Sequence, residues 1–245
     1  RKSLAFLDVG QGDCFVADTK SGAIIFDGGS SSEDQVGRYR ILPYMKYLGY
    51  QKIQIAVISH MDIDHYSGIK ELLEMGKIKY LGLPEIPKDE TMKKIIGIAK
   101  KRGTTIFYLS RGRQITTKDG SLKVLHPQKN SQMEKNAASL VMQGKILGYR
   151  VLLTGDVEKE GEEELLSEEL ERADILKAAH HGSKNSTSNE FLQKVQPKQT
   201  VISCGKQNRY GHPHLETIHR LQTYRTKIYR TDRSGAIIFF KRRDG

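Results

Sequence analysis

Four side chains able to hold a metal ion fall within six residues, His60-Met-Asp62-Ile-Asp64-His65, directly after the apolar run 53–59. That juxtaposition constrains the fold more than any other feature. In an extended segment residues 60, 62 and 64 would face one way, and a turn is needed to add His65. One loop seldom gives four ligands to a single cation, so two cations sharing the cluster fit better. A buried strand that ends here, with Gly68 opening a helix beyond, argues against an incidental polar loop.

The pattern recurs along the chain. Val151-Leu-Leu-Thr-Gly155-Asp156 is an apolar strand that delivers an aspartate, and Asp156 alone would also suit a cap for the helix after Glu158. Asp174-Ile-Leu-Lys-Ala-Ala-His180-His181-Gly182-Ser183 ends on two histidines pointing in different directions, one available to metal and the other to substrate. Val201-Ile-Ser-Cys-Gly205 leads into Asn208-Arg209-Tyr210-Gly211-His212-Pro213-His214. Open sheets collect ligand sites beyond the carboxyl ends of their strands, and four successive strand ends here carry His or Asp.

Short β-branched runs at 4–9, 14–18 and 23–26, separated by Gly10–Gly12 and Ser21-Gly22, predict an antiparallel meander at the N-terminus. Further runs lie at 53–58, 104–109, 121–125, 139–143, 149–154, 174–179, 199–203, 227–230 and 235–240. Helical periodicity marks 35–48, 67–75, 89–102 and 158–171, with shorter candidates at 188–195 and 213–223. Strands first in a meander and then alternating with helices suggest sheets covered by helices on their outer faces. No linker or repeat interrupts residues 1–245, which read as one domain.

The formal charge of +11 is unevenly spread. Residues 206–245 hold ten Lys/Arg against three acids, whereas 158–171 hold eight glutamates. A basic region of this kind suits a polyanion, and with no Trp the expected contacts are to a phosphate backbone rather than to stacked bases. Cys14 and Cys204 have no metal-ligand spacing and read as two isolated buried thiols. No apolar run approaches the roughly 20 residues of a membrane span. The chain starts at Arg1 directly in a strand-like segment, so a piece of something longer is expected.

Together these motifs resemble the metallo-β-lactamase superfamily, and within it the C-terminal domain of ComEC-type competence proteins. The resemblance spans Asp8-Val-Gly-Gln-Gly-Asp13, Phe26-Asp27-Gly-Gly29, His60–His65, Asn136-Ala-Ala-Ser139-Leu, Leu153-Thr-Gly-Asp156, His180-His-Gly-Ser183 and Tyr210-Gly-His-Pro213. It implies an α/β fold, an αβ/βα sandwich of two mixed sheets with helices on both outer faces and a dinuclear site between them. His60 and Asp62 would hold one metal; Asp64, His65 and His180 or His181 would hold the other; Asp156 would bridge. Asp27 and Asp13 would stand behind these ligands and steady their loop. Two departures matter. The superfamily's usual second histidine is Asp62 here, and its mid-chain histidine ligand has no counterpart, since His126 reads as structural. The oxygen-rich set favours Mn²⁺ over Zn²⁺ or Mg²⁺.

Three aspartates against two divalent ions leave roughly +1 at the centre, which attracts a phosphodiester. Asp64 or Asp156 would take a proton from water. His212, or the non-ligating member of the 180–181 pair, would protonate the leaving group or hold the phosphate. Asn136, Ser139, Ser183, Lys184, Asn208 and Arg209 are candidate phosphate contacts. Lys177 and Lys206 either add charge there or are solvated surface residues. The expected activity is metal-dependent hydrolysis of single- or double-stranded DNA during uptake. One alternative is a phosphodiesterase for a small head-group such as phosphorylcholine; another is a non-catalytic domain that guides DNA. The resemblance further implies a partner in the transmembrane channel region of the same parent protein, a place on the outer face of the cell membrane, and a monomeric isolated domain.

Overall fold

The computed structural model describes residues 2–134, 136–168 and 170–242. The expectations for Arg243 and Asp244 in the basic C-terminal stretch, and for Glu169 in the acidic one, lie outside the described residues. Strand pairing begins with the N-terminal meander: β1 (Ser3–Phe6), β2 (Phe15–Thr19) and β3 (Gly22–Phe26) run antiparallel. From β3 the sheet continues in parallel through β4 (Ile53–Val57), β5 (Ile78–Pro84) and β6 (Thr105–Leu109). The final strand β14 (Ile237–Phe240) closes the other edge against β1.

The second sheet repeats the plan. The strands β7 (Gln114–Thr117), β8 (Gly120–His126), β9 (Val141–Ile146) and β10 (Tyr149–Leu153) are antiparallel. Then β11 (Ile175–Lys177), β12 (Gln199–Ile202) and β13 (Lys227–Arg230) run parallel to β10. Among the described residues each sheet thus has seven strands. Two of these strands, β5 and β7, are missing from the sequence reading. β5 carries Gly82 and ends on Pro84, and β7 is a polar Gln-Ile-Thr-Thr edge, so neither shows the alternation that marks a strand.

Side-chain alternation sorts the core into layers. Phe15, Ala17, Ile24 and Phe26 face Val151 and Leu153 between the sheets, while Val16, Ile25 and Leu152 point outward. The outer face of the first sheet is covered by α1 (Leu42–Tyr47), α2 (Ile63–Glu74) and α3 (Glu90–Lys101), which bury Met45, Leu72 and Ile95 there. The outer face of the second is covered by α4 (Lys159–Leu166), α5 (Asn189–Val195) and α6 (Leu215–Thr223). A one-turn α7 (Thr231–Ser234) links β13 to β14.

Asp89 starts α3 by accepting from Met92 N at 2.7 Å, and Ser188 starts α5 by accepting from Phe191 N at 3.1 Å. α4 ends at Leu166, short of the expected 171. The stretch before it is also corrected: Asp156 is buried and is not the cap, a position taken by Glu158. Tyr39, within the stretch 35–48 marked by helical periodicity, is 63% exposed. Both cysteines are free and buried. Among the described residues no helix is long and apolar enough to cross a membrane.

Candidate metal centre

The parallel strands β3 and β4 of one sheet and β10, β11 and β12 of the other release their chains toward the same end of the sandwich. At that end, loop 8–13 is wedged against its neighbours. A Cβ on Gly12 would run into the carbonyl oxygen of Gly29, and one on Gly29 would lie 2.5 Å from Ile63 O, so only glycines permit the approach. Just after β3, Asp27 takes a left-handed backbone (φ 57°) that turns its carboxylate inward. It accepts from Ser59 N and Ser59 Oγ, both at 2.7 Å, and lies 2.9 Å from His65 Nδ1. This single buried carboxylate therefore ties the end of β4 to the first turn of α2.

Four side chains converge in front of it. Asp64, His65, Asp156 and His181 each bring one ligand atom, all within 4.8 Å of one another. His65 Nε2 is 3.0 Å from Asp156 Oδ2; His181 Nε2 is 3.1 Å from Asp64 Oδ2 and 3.3 Å from Asp156 Oδ2. Behind, His181 Nδ1 donates to Ser203 O at 2.9 Å, as His65 Nδ1 faces Asp27. An imidazole held at one nitrogen, with the other turned toward converging carboxylates, is the arrangement of a metal-ligating histidine. His60 Nε2 is 3.5 Å from Asp62 Oδ2 and 3.9 Å from Asp156 Oδ2. His60 Nε2 and Asp156 Oδ1 are buried without a hydrogen-bond partner among the described residues. Buried orphan ligand atoms aimed at one point are costly unless something bridges them, so the residues present fit divalent cations.

Of the adjacent histidines it is His181 that joins the cluster. Both have left-handed backbones (φ 48° and 53°), which throws their rings apart. His180 is partly exposed at the rim, with Nδ1 2.7 Å from Glu158 and Nε2 3.9 Å from Asp156. Asp62 sits at the N-terminus of α2, where its carbonyl accepts from His65 N and Tyr66 N.

Burial opposes charge on every member of the cluster, yet opposite charges at contact override it. Against that burial, the hydrogen bond and charge of His181 with the charge of His65 hold Asp64 down to about 2. His181 and His65 likewise keep Asp156 well below the carboxylate range. Asp156, with Asp27 on His65 and Asp13 on His181, raises both imidazoles well above their ordinary value despite burial. Cations would take over this positive charge by displacing the ring protons.

Of the two readings of Lys177, added charge at the site or a solvated surface residue, the second fails: it is 4% exposed. Its ammonium donates to Gly155 O at 2.8 Å, pairs with Asp13, and lies 3.6 Å from Asp156 Oδ1. Burial would lower its pKa, but Asp13 and Asp156 raise it, so the ammonium persists. Asp13 also approaches His181 Nδ1 at 3.4 Å and His65 Nδ1 at 3.6 Å, which puts it behind the cluster beside Asp27.

The expected phosphate contacts divide sharply. Asn208 gives its amide to its own loop, donating to His212 O and Gly205 O and accepting from His212 N, so it is a loop clamp. Ser139 is fully buried and its Oγ accepts from Asp156 N at 3.3 Å, positioning the aspartate instead of substrate. Ser183 is buried and accepts from Asn185 N. Asn136 and Lys184 line other hollows, the latter a larger one of about 690 Å³ beside α4 and α5. Among the described residues that larger hollow has no such converging ligand atoms, so the smaller cavity is the candidate site. Lys206 is exposed on the loop after β12. His126 is buried away from the centre against Ala137 O and Glu164.

The centre opens into a cavity of about 240 Å³ whose outer wall includes Gln11, Ser31, Ile63, Tyr210 and His212. The His212 ring stacks on Tyr210 at 5.6 Å, and Arg209 lies over the other aromatic, donating to Tyr210 Oη at 2.7 Å. Burial first, then the charges of His181, His180 and His214, lower His212 to about 4. Gln11, Ser31 and Tyr210 carry no role in the sequence reading. Each sits inside or beside a quoted motif, but only the tertiary structure brings them to the cavity. The basic C-terminal region is also less available than its charge suggests. Arg220 binds the carbonyls of Lys184, Ser186 and Thr187, Arg230 binds Asp232, Lys241 binds Asp119, and Arg242 approaches Asp174.

A family model described as the metallo-beta-lactamase superfamily matches residues 7–206. ComE operon protein 3 of Bacillus subtilis is 37% identical over 98% of this chain and 33% of its own length. Competence protein ComA of Neisseria gonorrhoeae is 30% identical over 97% of this chain and 32% of its own length. The chain therefore spans about a third of the curated relatives it matches. Among solved structures, the metallo-beta-lactamase fold protein YhfI from Bacillus subtilis superposes with a TM-score of 0.64 at 12% identity, covering 96% of this chain and 99% of that one.

Proposed function

Since the chain belongs to the metallo-β-lactamase superfamily and is related to competence proteins, we propose that it is a metal-dependent phosphodiesterase that cuts DNA during uptake. The observation that carries this reading is the convergence of Asp64, His65, Asp156 and His181 within 4.8 Å at the floor of an open cavity. We assign these four residues to one cation, with His60 and Asp62 holding a second and Asp156 shared. Divalent cations bound there would polarise a phosphodiester and lower the pKa of an attacking water. The mixed set of three imidazoles and three carboxylates supports Mn²⁺ as the preferred ion over Zn²⁺ or Mg²⁺.

The chain's own groups divide the remaining work. Asp27 holds His65 Nδ1 and so turns Nε2 toward the centre. Lys177 neutralises Asp13 beneath the site, which leaves the ligand carboxylates as the local negative charge. Asp64 or Asp156 accepts the proton released by water. His212, which lines the cavity and whose Nδ1 has no hydrogen-bond partner among the described residues, holds a phosphate oxygen. Tyr210 and Arg209 at the mouth supply a ring face and a cation to the nucleotide outside. The domain would act as part of a larger competence protein, beside its membrane channel and on the outer face of the membrane.

The test is cleavage of labelled single- and double-stranded DNA by metal-stripped protein resupplied with Mn²⁺, Mg²⁺ or Zn²⁺, with Asp64→Ala as control. Metal-dependent cutting abolished by the substitution, and fastest with Mn²⁺, is expected. A cavity of about 240 Å³ also suits a small head-group phosphodiester. Turnover of phosphorylcholine esters that ignores salt, with DNA untouched, would establish that alternative, because polyphosphate contacts weaken steeply with salt. Salt-sensitive DNA binding without cutting by any of the three ions would instead mark a guiding domain.

A further inference from the structure

One amide in the cavity wall has its oxygen engaged and its NH₂ without a partner among the described residues. Gln11 lies in loop 8–13 and is 2% exposed. Its backbone is held on both sides: N donates to Ser32 Oγ at 2.8 Å, and its carbonyl accepts from Ser31 N at 2.8 Å. Its side-chain Oε1 accepts from Gly205 N at 2.9 Å, across 194 residues of sequence. A backbone N–H can only donate, so the terminal atom facing Gly205 must be the oxygen and the other must be the NH₂. The amide orientation is thus dictated by a contact. A Cβ at Gly205 would lie 2.7 Å from Gln11 N, so the backbones of the two loops are in close contact at this point.

The NH₂ group is buried and has no hydrogen-bond partner among the described residues. Gln11 lines the same cavity as Asp64, Asp156, His181 and His212. A buried donor left unmade is costly, whereas one that meets an anionic oxygen makes a charge-assisted bond. An amide N–H is a neutral donor. It can bind a phosphoryl oxygen without adding a titrating group or competing for the cations, as a lysine or a carboxylate would.

We propose that Gln11 is a substrate-binding residue whose Nε2 donates to a non-bridging oxygen of the phosphodiester. It rests on the phosphodiesterase reading above and adds to it a specific contact: a preorganised donor on the wall formed by loop 8–13, locked by Gly205 from the opposite sheet. The amide donor favours an oxyanion, because its bond to a charged oxygen is stronger than one to the oxygen of a neutral ester of similar size.

The experiment uses the whole chain loaded with Zn²⁺ and inorganic phosphate as the probe, with affinity read by calorimetry and metal content by elemental analysis. Gln11→Met removes the donor at nearly constant volume. Gln11→Glu keeps an acceptor for Gly205 N and replaces the donor with a negative oxygen. Both variants are expected to retain the metal, and phosphate affinity to fall about ten- to a hundredfold, more for Glu than for Met. A merely structural role would instead lower metal content and melting temperature together. In the native protein, the Gln11 side-chain amide resonances should shift on adding phosphate, a readout that needs no variant. Unchanged phosphate affinity in metal-replete variants, or an amide signal that ignores bound phosphate, overturns the Gln11 assignment alone. A native loaded protein that neither binds phosphate nor cuts DNA overturns the phosphodiesterase reading and this contact with it.

Discussion

Asp27→Asn isolates one hydrogen bond whose loss should reach the metal centre. Asp27 is fully buried, with Oδ1 on Ser59 N and Oδ2 shared between Ser59 Oγ and His65 Nδ1. Asparagine tolerates the left-handed backbone at this position, so the turn survives. Its oxygen can keep Ser59 N, and the Ser59 hydroxyl can rotate to accept from the new NH₂. His65 has no such freedom. An N–H now faces Nδ1, which must become the acceptor, and the ring proton moves to Nε2, the atom 3.0 Å from Asp156 that a cation needs. Loss of such a supporting carboxylate typically lowers metal affinity 10- to 100-fold, or about 1.4–2.7 kcal/mol. Competition with a chromogenic chelator at pH 7.5 reads the affinity, and circular dichroism confirms the fold. A folded Asp27→Asn protein that binds Zn²⁺ within about twofold of wild type would refute the tautomer argument.

Two further outcomes follow from buried charge elsewhere. Lys177→Met should cost about 3–5 kcal/mol in urea unfolding, because it strands the buried Asp13 carboxylate. The double variant with Asp13→Asn should cost less than the sum of the two, and strict additivity would dissolve the pair. Asp174 and Asp119 bear on acid stability. Burial opposes ionisation of both, but Lys198 with Arg150 N at Asp174, and Lys20 N with Lys241 at Asp119, lower their pKa values. A folded-state pKa below the unfolded one contributes stability in full above about pH 4 and loses it as pH falls through the folded value. Melting temperature should therefore drop below about pH 4, and Asp174→Asn should be less stable at pH 7 with a shallower acid loss; an unchanged slope would remove Asp174 from that account.

Local sequence determined a large part of this protein. The run His60–His65 and the aspartate and histidines after 151–153 and 174–179 are legible because each candidate ligand follows an apolar strand at once, and strand periodicity is a property of neighbouring residues. The N-terminal meander is legible for the same reason, since Gly-rich turns stand between its short runs. β5 and β7 escape because a glycine, a proline and polar edge residues erase that alternation.

Which groups meet was decided by the tertiary structure. His181 joins Asp64 and His180 does not, because two consecutive left-handed residues split the rings and Ser203, carried by another strand, holds one of them. Lys177 is a buried counter-ion, not a surface charge, because Asp13 arrives from the opposite sheet. Asn208 and Ser139 look like phosphate donors in sequence but are consumed by their own loop and by Asp156. Gln11 is unremarked in sequence and acquires a direction only from Gly205, 194 residues away. Periodicity records how a residue relates to its neighbours along the chain. Partners, burial and charge state are set by what the folded loops bring from far along it.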